Sequence, residues 1–335
     1  MWRSPLLVVG WVTVGTLATL WVLAATPLRS VEGVAPLVAP DRVAALIALT
    51  VALLSGLAAR RMGPARRRLV VLLVASLLVC GLFVGRVLVQ GTHSVVPAHG
   101  EPTLRVLSWN AAGVHPADIA QRFHEVAVRR DVDVLVLPET GDEIARMVSD
   151  RLDLLGWDHA MFEDGATSVF VRDALATEAG YVLLPGNPPW AGITVKPRRA
   201  SAETPFIVAV HVQQPSPGNV AVRDEHLAWV ESLCAGSDFV LAVGDFNSTP
   251  NHLDSGRLGR CADVALAVEA GAASTWPTWL PSWLGISIDR AMVGPPYEPG
   301  TFGFEVLRSV DTGGPGLGSD DGADHWPILI EVTAP

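Results

Sequence analysis

The stretch "VLAVGDFNST", residues 240 to 249, is an apolar run that ends abruptly in a carboxylate and, two residues later, an amide. Val240, Leu241, Ala242 and Val243 read as a buried strand, and Pro250 marks where it must stop, because proline cannot continue a central strand. Gly, Asp, Asn, Ser and Thr are all turn formers, so the polar half taken alone is a turn. In α/β folds, however, strand ends deliver chemical groups to a crevice on rigid backbone, and Asp245 and Asn247 are placed to share one substrate. The other strands decide between the two readings.

Apolar runs rich in β-branched residues recur: "TLRVLSW", "VDVLVLPE", "TSVFVR", "GITVKP", "FIVAVHV", "ISIDRAMV" and "WPILIEV". Helical patterns lie between several of them, at Pro116 to Arg130, Asp142 to Leu155 and Asn219 to Leu233, so the region is expected to be a layered α/β domain. The runs end in polar side chains. "RVLSWN" ends in Asn110, "VLVLPE" in Glu139, "IVAVH" in His211 and "ISID" in Asp289, while "GADHWPI" sets Asp324 and His325 just ahead of the last strand. Turn chemistry alone does not ask for this series.

In this order the segments resemble the endonuclease/exonuclease/phosphatase superfamily, the metal-dependent phosphoesterases related to pancreatic deoxyribonuclease, apurinic endonucleases, neutral sphingomyelinases and inositol polyphosphate 5-phosphatases. The resemblance runs from about Leu104 to Val332 and rests on "GDFN" with a later "DH" before a final strand, joined by "SWN", "PE" and "ID". It implies an α/β (α+β) four-layer sandwich, two β-sheets packed face to face and flanked by helices, with the active site where the sheets open. It also implies that Asp245 orients or deprotonates an attacking water, that Asn247 binds the phosphate, that His325 pairs with Asp289, and that His211 contacts the phosphate. The chemistry asks for these residue types in its own right. Phosphate ester hydrolysis needs an in-line water and neutralisation of charge on the phosphoryl oxygens. Mg²⁺, or Mn²⁺ in its place, takes one or two carboxylates plus water and substrate oxygens, which Glu139 can anchor with Asn110 and Asp324. No short-spaced Cys/His pattern suggests zinc.

Each residue has a plainer reading. Asn110 can cap the turn after its strand, Asp289 can pair with Arg290, and His211 can be a half-buried strand-end histidine. Adjacent strand residues face opposite sides, which weakens the pairing of Asp289 with Arg290. His115, His124, His159, His226 and His252 have no partner pattern and read as structural or exposed. Ala323 stands where relatives commonly carry serine, and Arg172 reads as a solvated arginine rather than a substrate contact. A different class of answer is a binding or signalling domain that retains the fold without catalysis.

The first 90 residues are of another kind. Pro5 to Ala25 has no charged residue and is long enough to cross a bilayer of roughly 30 Å, and Val43 to Ala59 and Leu69 to Gly85 are two further candidates, giving spans at about 5–25, 42–61 and 69–89. Arg60, Arg61, Arg66, Arg67 and Arg68 crowd the second turn, which the positive-inside tendency places in the cytoplasm. The third span then runs outward, and residues 103–335 are expected outside. Ala24 and Ala25 resemble a signal-peptide cleavage site, but the length and weakly basic start favour a retained helix. Residues 91–102, "GTHSVVPAHGEP", read as a linker.

Charge follows the same division. Residues 1–90 carry nine Arg against Glu32 and Asp41, and the remainder carries 15 Lys and Arg against 32 Asp and Glu, a net −17 within an overall −10. An acidic catalytic domain is a poor match for a polyphosphate backbone, so nucleic acid ranks behind phospholipid headgroups and small phosphorylated metabolites as the phosphate-ester substrate, and the lipid bilayer is the expected partner. Of three cysteines, Cys80 lies in the third span, and Cys234 with Cys261 in an oxidising compartment is expected to form a disulfide. "STWPTWLPSWLG", Ser274 to Gly285, offers tryptophans either to a headgroup layer or to the edge of the core. "KPRRA", Lys196 to Ala200, offers charge to an anionic headgroup or simply to water. The glycine-rich stretch Asp311 to His325 reads as a mobile loop.

Overall fold

Two seven-stranded sheets form the centre of the domain. The computed structural model describes residues 5–61, 63, 65–254, 256–313 and 322–333. Most of the predicted glycine-rich loop, residues 314–321, lies outside the described residues.

The first sheet is ordered β1 (Val95–Val96), β13 (Gly303–Val306), β14 (Ile328–Val332), β2 (Leu104–Ser108), β3 (Val134–Pro138), β5 (Thr167–Arg172) and β4 (His159–Asp164). The second is ordered β10 (Arg257–Leu258), β11 (Cys261–Asp263), β12 (Asp289–Val293), β9 (Val240–Asp245), β8 (Phe206–His211), β7 (Gly192–Lys196) and β6 (Val182–Leu183). Both sheets are mixed: β2 with β3 and β8 with β9 are parallel, the other pairs antiparallel. Each parallel pair is joined by a helix, α4 (Pro116–Arg130) and α7 (Val220–Gly236) respectively. α5 (Asp142–Leu154) follows β3, and the short α6 (Asp173–Ala179) and α8 (Val264–Ala267) complete the domain.

The period of two along each strand sorts side chains between layers. Val106, Val134, Val136, Ile207, Ala209, Leu241, Val243, Ala291 and Ile330 share the core between the sheets. The alternate residues Leu107, Leu135 and Leu137 pack outward against Ile119, Phe123 and Val126 of α4 and Val148 and Leu152 of α5. On the other side Val208, Val210 and Ala242 meet Val230 and Cys234 of α7. Every fully buried Val, Leu or Ile contributes on the order of 1.5–3 kcal/mol, so losing either outer layer would unseat a sheet. The four-layer α/β sandwich expected from the sequence is the fold observed.

Cys234 and Cys261 are bonded, stapling α7 to β11 across 27 residues. A loop of that length corresponds to about 3.5 kcal/mol of denatured-state entropy. The Cys234→Ala, Cys261→Ala double variant is therefore expected to melt roughly 10 °C lower. A melting curve that superimposes on the native one would show the bond to be idle.

The apolar region forms three helices, α1 (Pro5–Leu23), α2 (Asp41–Ala59) and α3 (Arg66–Gln90). By length and composition α2 and α3 can each cross a membrane, and α1 is a shorter apolar helix. Val14, Leu17, Ala45, Ala48, Leu72 and Val79 pack where the three meet. The segment read as a linker is tied down along its first half. The Gly91 carbonyl accepts from Ala272 N at 2.8 Å, His93 N donates to Glu269 O at 3.2 Å, and Val95 and Val96 pair with Glu305 and Phe304. A chain that spends its backbone hydrogen bonds this way has no slack to act as a free tether.

Candidate active site

Strand register assembles half of the site. His211 on β8 lies opposite Asp245 on β9, and Asp245 lies opposite Asp289 on β12. All three continue the inward-facing series of their strands, 207-209-211, 241-243-245 and 289-291-293, so they form a row at the rim where the core ends. Gly244 allows this close pairing, because a Cβ there would run into the Val210 carbonyl of the neighbouring strand.

The first sheet supplies the facing groups. Asn110 extends the inward series Leu104, Val106 and Ser108 of β2. Glu139 follows the inward-facing Pro138 and by alternation would point away. Its φ of +54°, in the left-handed region, breaks the alternation, and its carboxylate turns back to the cleft. Asp324 and His325 immediately precede β14, and Trp109 fixes that approach by donating Nε1–H to the His325 carbonyl at 3.1 Å.

Glu139, His211, Asp245, Asn247, Asp324 and His325 all line one cavity of about 450 Å³. Asp245 is 1% exposed, and its Oδ2 accepts from Asn110 Nδ2 and Asn247 Nδ2, each at 3.2 Å, while Oδ1 accepts from Asn247 N at 2.7 Å. Asn247 Nδ2 also donates to Val212 O at 2.8 Å. Both amide hydrogens of Asn247 are thus engaged inside the protein, where they hold Asp245 and the turn after β9. A phosphate would have to displace one of them.

His325 Nδ1 donates to Asp289 Oδ2 at 2.9 Å, leaving Nε2 3.8 Å from Asp245 Oδ2 and 3.7 Å from Asp324 Oδ1. Burial opposes a charge on this ring, but the Asp289 and Asp245 carboxylates outweigh it and hold the pKa up to about 10. Burial pushes the Asp245 carboxyl up to about 6, against the pull of His325. Asp289 is itself braced, since Thr275 Oγ1 accepts from the Ile288 and Asp289 amides at 3.1 Å. The pairing of His325 with Asp289 is thereby observed, and Arg290 turns to the other side of the strand to meet Asp263.

Across the cleft His211 Nε2 lies 2.9 Å from Glu139 Oε1. Burial works against a charge on His211, but Glu139 and Asp245 raise its pKa on balance, and the His211 hydrogen bond lowers that of Glu139. Asp324 Oδ2 accepts from Trp276 Nε1 at 2.8 Å, and Thr278 donates to the Asp324 carbonyl from its amide at 2.8 Å and to the Ala323 carbonyl from its hydroxyl at 3.1 Å. These contacts brace the loop in which Ala323 offers no hydroxyl. One tryptophan of the 274–285 stretch is therefore part of the site, whereas Trp279 and Trp283 are exposed.

Two donor sets can be weighed for a metal ion. Ligand atoms of Asp245, Asp289 and His325 lie within 4.8 Å of one another, but His325 Nδ1 is committed to Asp289 and an imidazolium already balances these carboxylates. Glu139 and Asp324 offer partly exposed carboxylates lining a cavity roomy enough for metal-bound water, and Asn110, buried beside Asp245, offers an amide oxygen that accepts from Ala112 N at 3.3 Å. That all-oxygen set suits a hard divalent cation better.

Several residues at the site carry no signal in the sequence. Gln213 and Gln214 after β8 line the cavity, as does His252, which has no recognisable spacing relative to the other groups. Thr275 and Trp276 support Asp289 and Asp324 from the tryptophan-rich stretch, which carries no motif pointing to that duty. Arg172 lies elsewhere, donating to Asp131 Oδ1 at 2.7 Å and to Val132 O at 2.6 Å. Arg198 of the basic cluster donates to Thr177 O at 3.3 Å, away from the cleft.

Among solved structures the chain is similar to D. rerio TDP2 complexed with a single-strand DNA product, at 16% identity and TM-score 0.49, covering 69% of this chain and 99% of that one. It is similar to the 3′ phosphatase NExo from Neisseria bound to a product DNA hairpin, at 15% identity and TM-score 0.47, covering 69% and 99%. An AP endonuclease from Archaeoglobus fulgidus aligns at 14% identity and TM-score 0.46, covering 69% and 100%. No curated protein matches the sequence. The Endonuclease/Exonuclease/phosphatase family matches residues 107–325, a span that runs from β2 through every site residue named above. The chain belongs to that family of metal-dependent phosphoester hydrolases.

Proposed function

We propose that the protein is a membrane-anchored phosphoesterase using Mg²⁺ or Mn²⁺, with its catalytic domain on the extracytoplasmic side. Its substrate is a phosphodiester or phosphomonoester, a phospholipid headgroup or small phosphorylated metabolite ahead of nucleic acid. The observation that carries the reading is the convergence of Asp245, Asp289 and His325 with Glu139, Asn110 and Asp324 on one cleft. A binding module has no need of a proton acceptor, an imidazolium and a cation-binding oxygen set together.

Glu139, with Asn110 and Asp324, would hold the ion, which supplies neutralisation of charge on the phosphoryl oxygens. Asp245 is the proton acceptor for the attacking water: buried, fixed by three hydrogen bonds, and raised toward the range where a carboxylate is an effective base. His325, charged and oriented by Asp289, stabilises a phosphoryl oxygen through Nε2–H. The His211 hydrogen bond lowers the Glu139 pKa and so favours its ionised form.

The outward placement of the domain is supported by Arg60 and Arg61 between α2 and α3, by Arg66, Arg67 and Arg68 in the first turn of α3, and by the course of α3 into β1. The acidic charge of the domain and its attachment to apolar helices favour a small or lipid-borne phosphate over a polyanion.

The test is turnover of bis-p-nitrophenyl phosphate by the full chain in lipid nanodiscs. Activity with Mg²⁺ or Mn²⁺, its loss in chelator, and its return on adding metal are expected. Glu139→Gln is expected to raise the metal concentration for half-activity at least roughly 10-fold, the scale on which even outer-shell partners act. Absence of turnover with every divalent ion tried would favour a non-catalytic binding domain.

A further inference from the structure

The connection between α1 and α2 does more than join two apolar helices. It forms two short turns, Pro27–Ser30 and Ala35–Leu37, and is fastened to the catalytic domain at three points. His252 Nε2 lies 2.8 Å from Ala35 O. Asn251 Nδ2 donates to Val38 O at 2.7 Å and to Asp41 Oδ2 at 3.0 Å. Glu32 Oε1 accepts from Gly218 N at 2.9 Å.

The fastened segments are those that carry site residues. Asn251 and His252 close the turn that begins at Asp245, and Gly218 ends the loop that begins at His211. The His252 ring is buried and, with its pKa pushed down to about 3 chiefly by burial and by the Arg223 charge, stays neutral. Its Nδ1 accepts from Thr249 N at 3.0 Å, which leaves the Nε2 hydrogen for Ala35 O. The Asn251 and His252 contacts are buried hydrogen bonds, costly to leave unmade, whereas the Gly218–Glu32 contact is exposed, so the Asn251 and His252 bonds are what hold the loop in place.

So held, the loop borders the catalytic cavity. Pro36 and Ala39 line it, together with Ile286, Ile288 and Trp276 from the domain. The cavity therefore has an apolar part beside the polar rim that holds the reacting groups. We propose that the loop of residues 27–40 is a wall of the active site and confers preference for phosphate esters bearing an apolar substituent next to the scissile phosphate. The proposal rests on the phosphoesterase reading above and adds the substrate feature that the cleft selects. Its physical basis is that a wall of proline, alanine and isoleucine gains only from apolar surface withdrawn from water, while every phosphate ester meets the polar rim alike.

The experiment compares methyl and butyl p-nitrophenyl phosphate, which share leaving group and charge, using the full chain in nanodiscs with Mg²⁺. The butyl ester is expected to show kcat/KM about 10-fold higher, most of it in KM. Ala39→Asn is expected to cut the butyl-to-methyl ratio of kcat/KM at least about threefold, whereas Ala39→Val, similar in size but apolar, keeps the ratio. Calorimetric binding of butylphosphonate and methylphosphonate is expected to give the same ranking without turnover. A ratio near one in the native chain, or one that Ala39→Asn leaves unchanged, would overturn the proposal while the phosphoesterase reading survives. Turnover of neither ester, with the phosphonate ranking intact, would overturn the catalytic reading and leave the apolar wall standing.

Discussion

Asp245→Asn is expected to lower kcat for metal-dependent ester hydrolysis by roughly 10²- to 10⁴-fold, the range a positioned general base contributes. The substitution keeps size and shape. An amide oxygen can still accept from the Asn247 backbone N–H, now at 2.7 Å from Oδ1, so the turn after β9 should survive. What is lost is the capacity to take a proton and the negative charge that helps hold His325 protonated. The side chain is buried at the end of a strand paired on both sides, which fixes its position. Steady-state kinetics with bis-p-nitrophenyl phosphate, beside thermal melts showing an unchanged fold, would measure the effect. A kcat within tenfold of the native value would remove Asp245 from the role of base.

Asp263→Ala is expected to destabilise the domain by about 3–5 kcal/mol, the cost of leaving a buried charge without its partner. Arg290 is wholly buried one residue beyond Asp289. Its Nε donates to Asp263 Oδ2 at 2.6 Å, its Nη2 meets the same oxygen, and its Nη1 reaches Ser287 O at 3.0 Å and Ser287 Oγ at 3.1 Å. Without the carboxylate the guanidinium keeps only Ser287. In a unit of this size the loss corresponds to a melting temperature lower by roughly 10 °C. Pairing Asp263→Leu with Arg290→Met should recover much of it, since a buried ion pair is often replaceable by apolar residues of similar volume. A single variant as stable as the native chain would mean that water reaches Arg290. Activity is a second readout, because Arg290 and Ser287 flank the strand start that carries Asp289.

The fold was legible because burial writes itself into alternation. The runs around Leu241, Val243, Leu135 and Leu137 are apolar on both faces, as strands between two layers must be, and the polar residue ending each run marks the open rim. The series Asn110, Glu139, His211, Asp245, Asp289, Asp324 and His325 could be read one by one for the same reason. The direction of Glu139 was not legible, because the left-handed turn that redirects it to the cleft leaves no sign in a strand pattern. The pairing of Cys234 with Cys261 was legible from number, as the two cysteines outside the apolar helices. The docking of residues 91–96 was not, since Gly, Pro and Ser composition describes a loop whether it is free or docked.

The layers, the chemical types at the rim and the presence of apolar helices are written in the order of residues, because these depend on local period and on what each side chain does in water. That Trp276 braces Asp324, that both amide hydrogens of Asn247 are spent on Asp245 and Val212, and that Pro36 and Ala39 border the cavity emerges once the layers pack. His252 and Ala35 meet across 217 positions of chain. A contact at that separation is set by the packing of whole layers, and no neighbourhood in the sequence contains both partners.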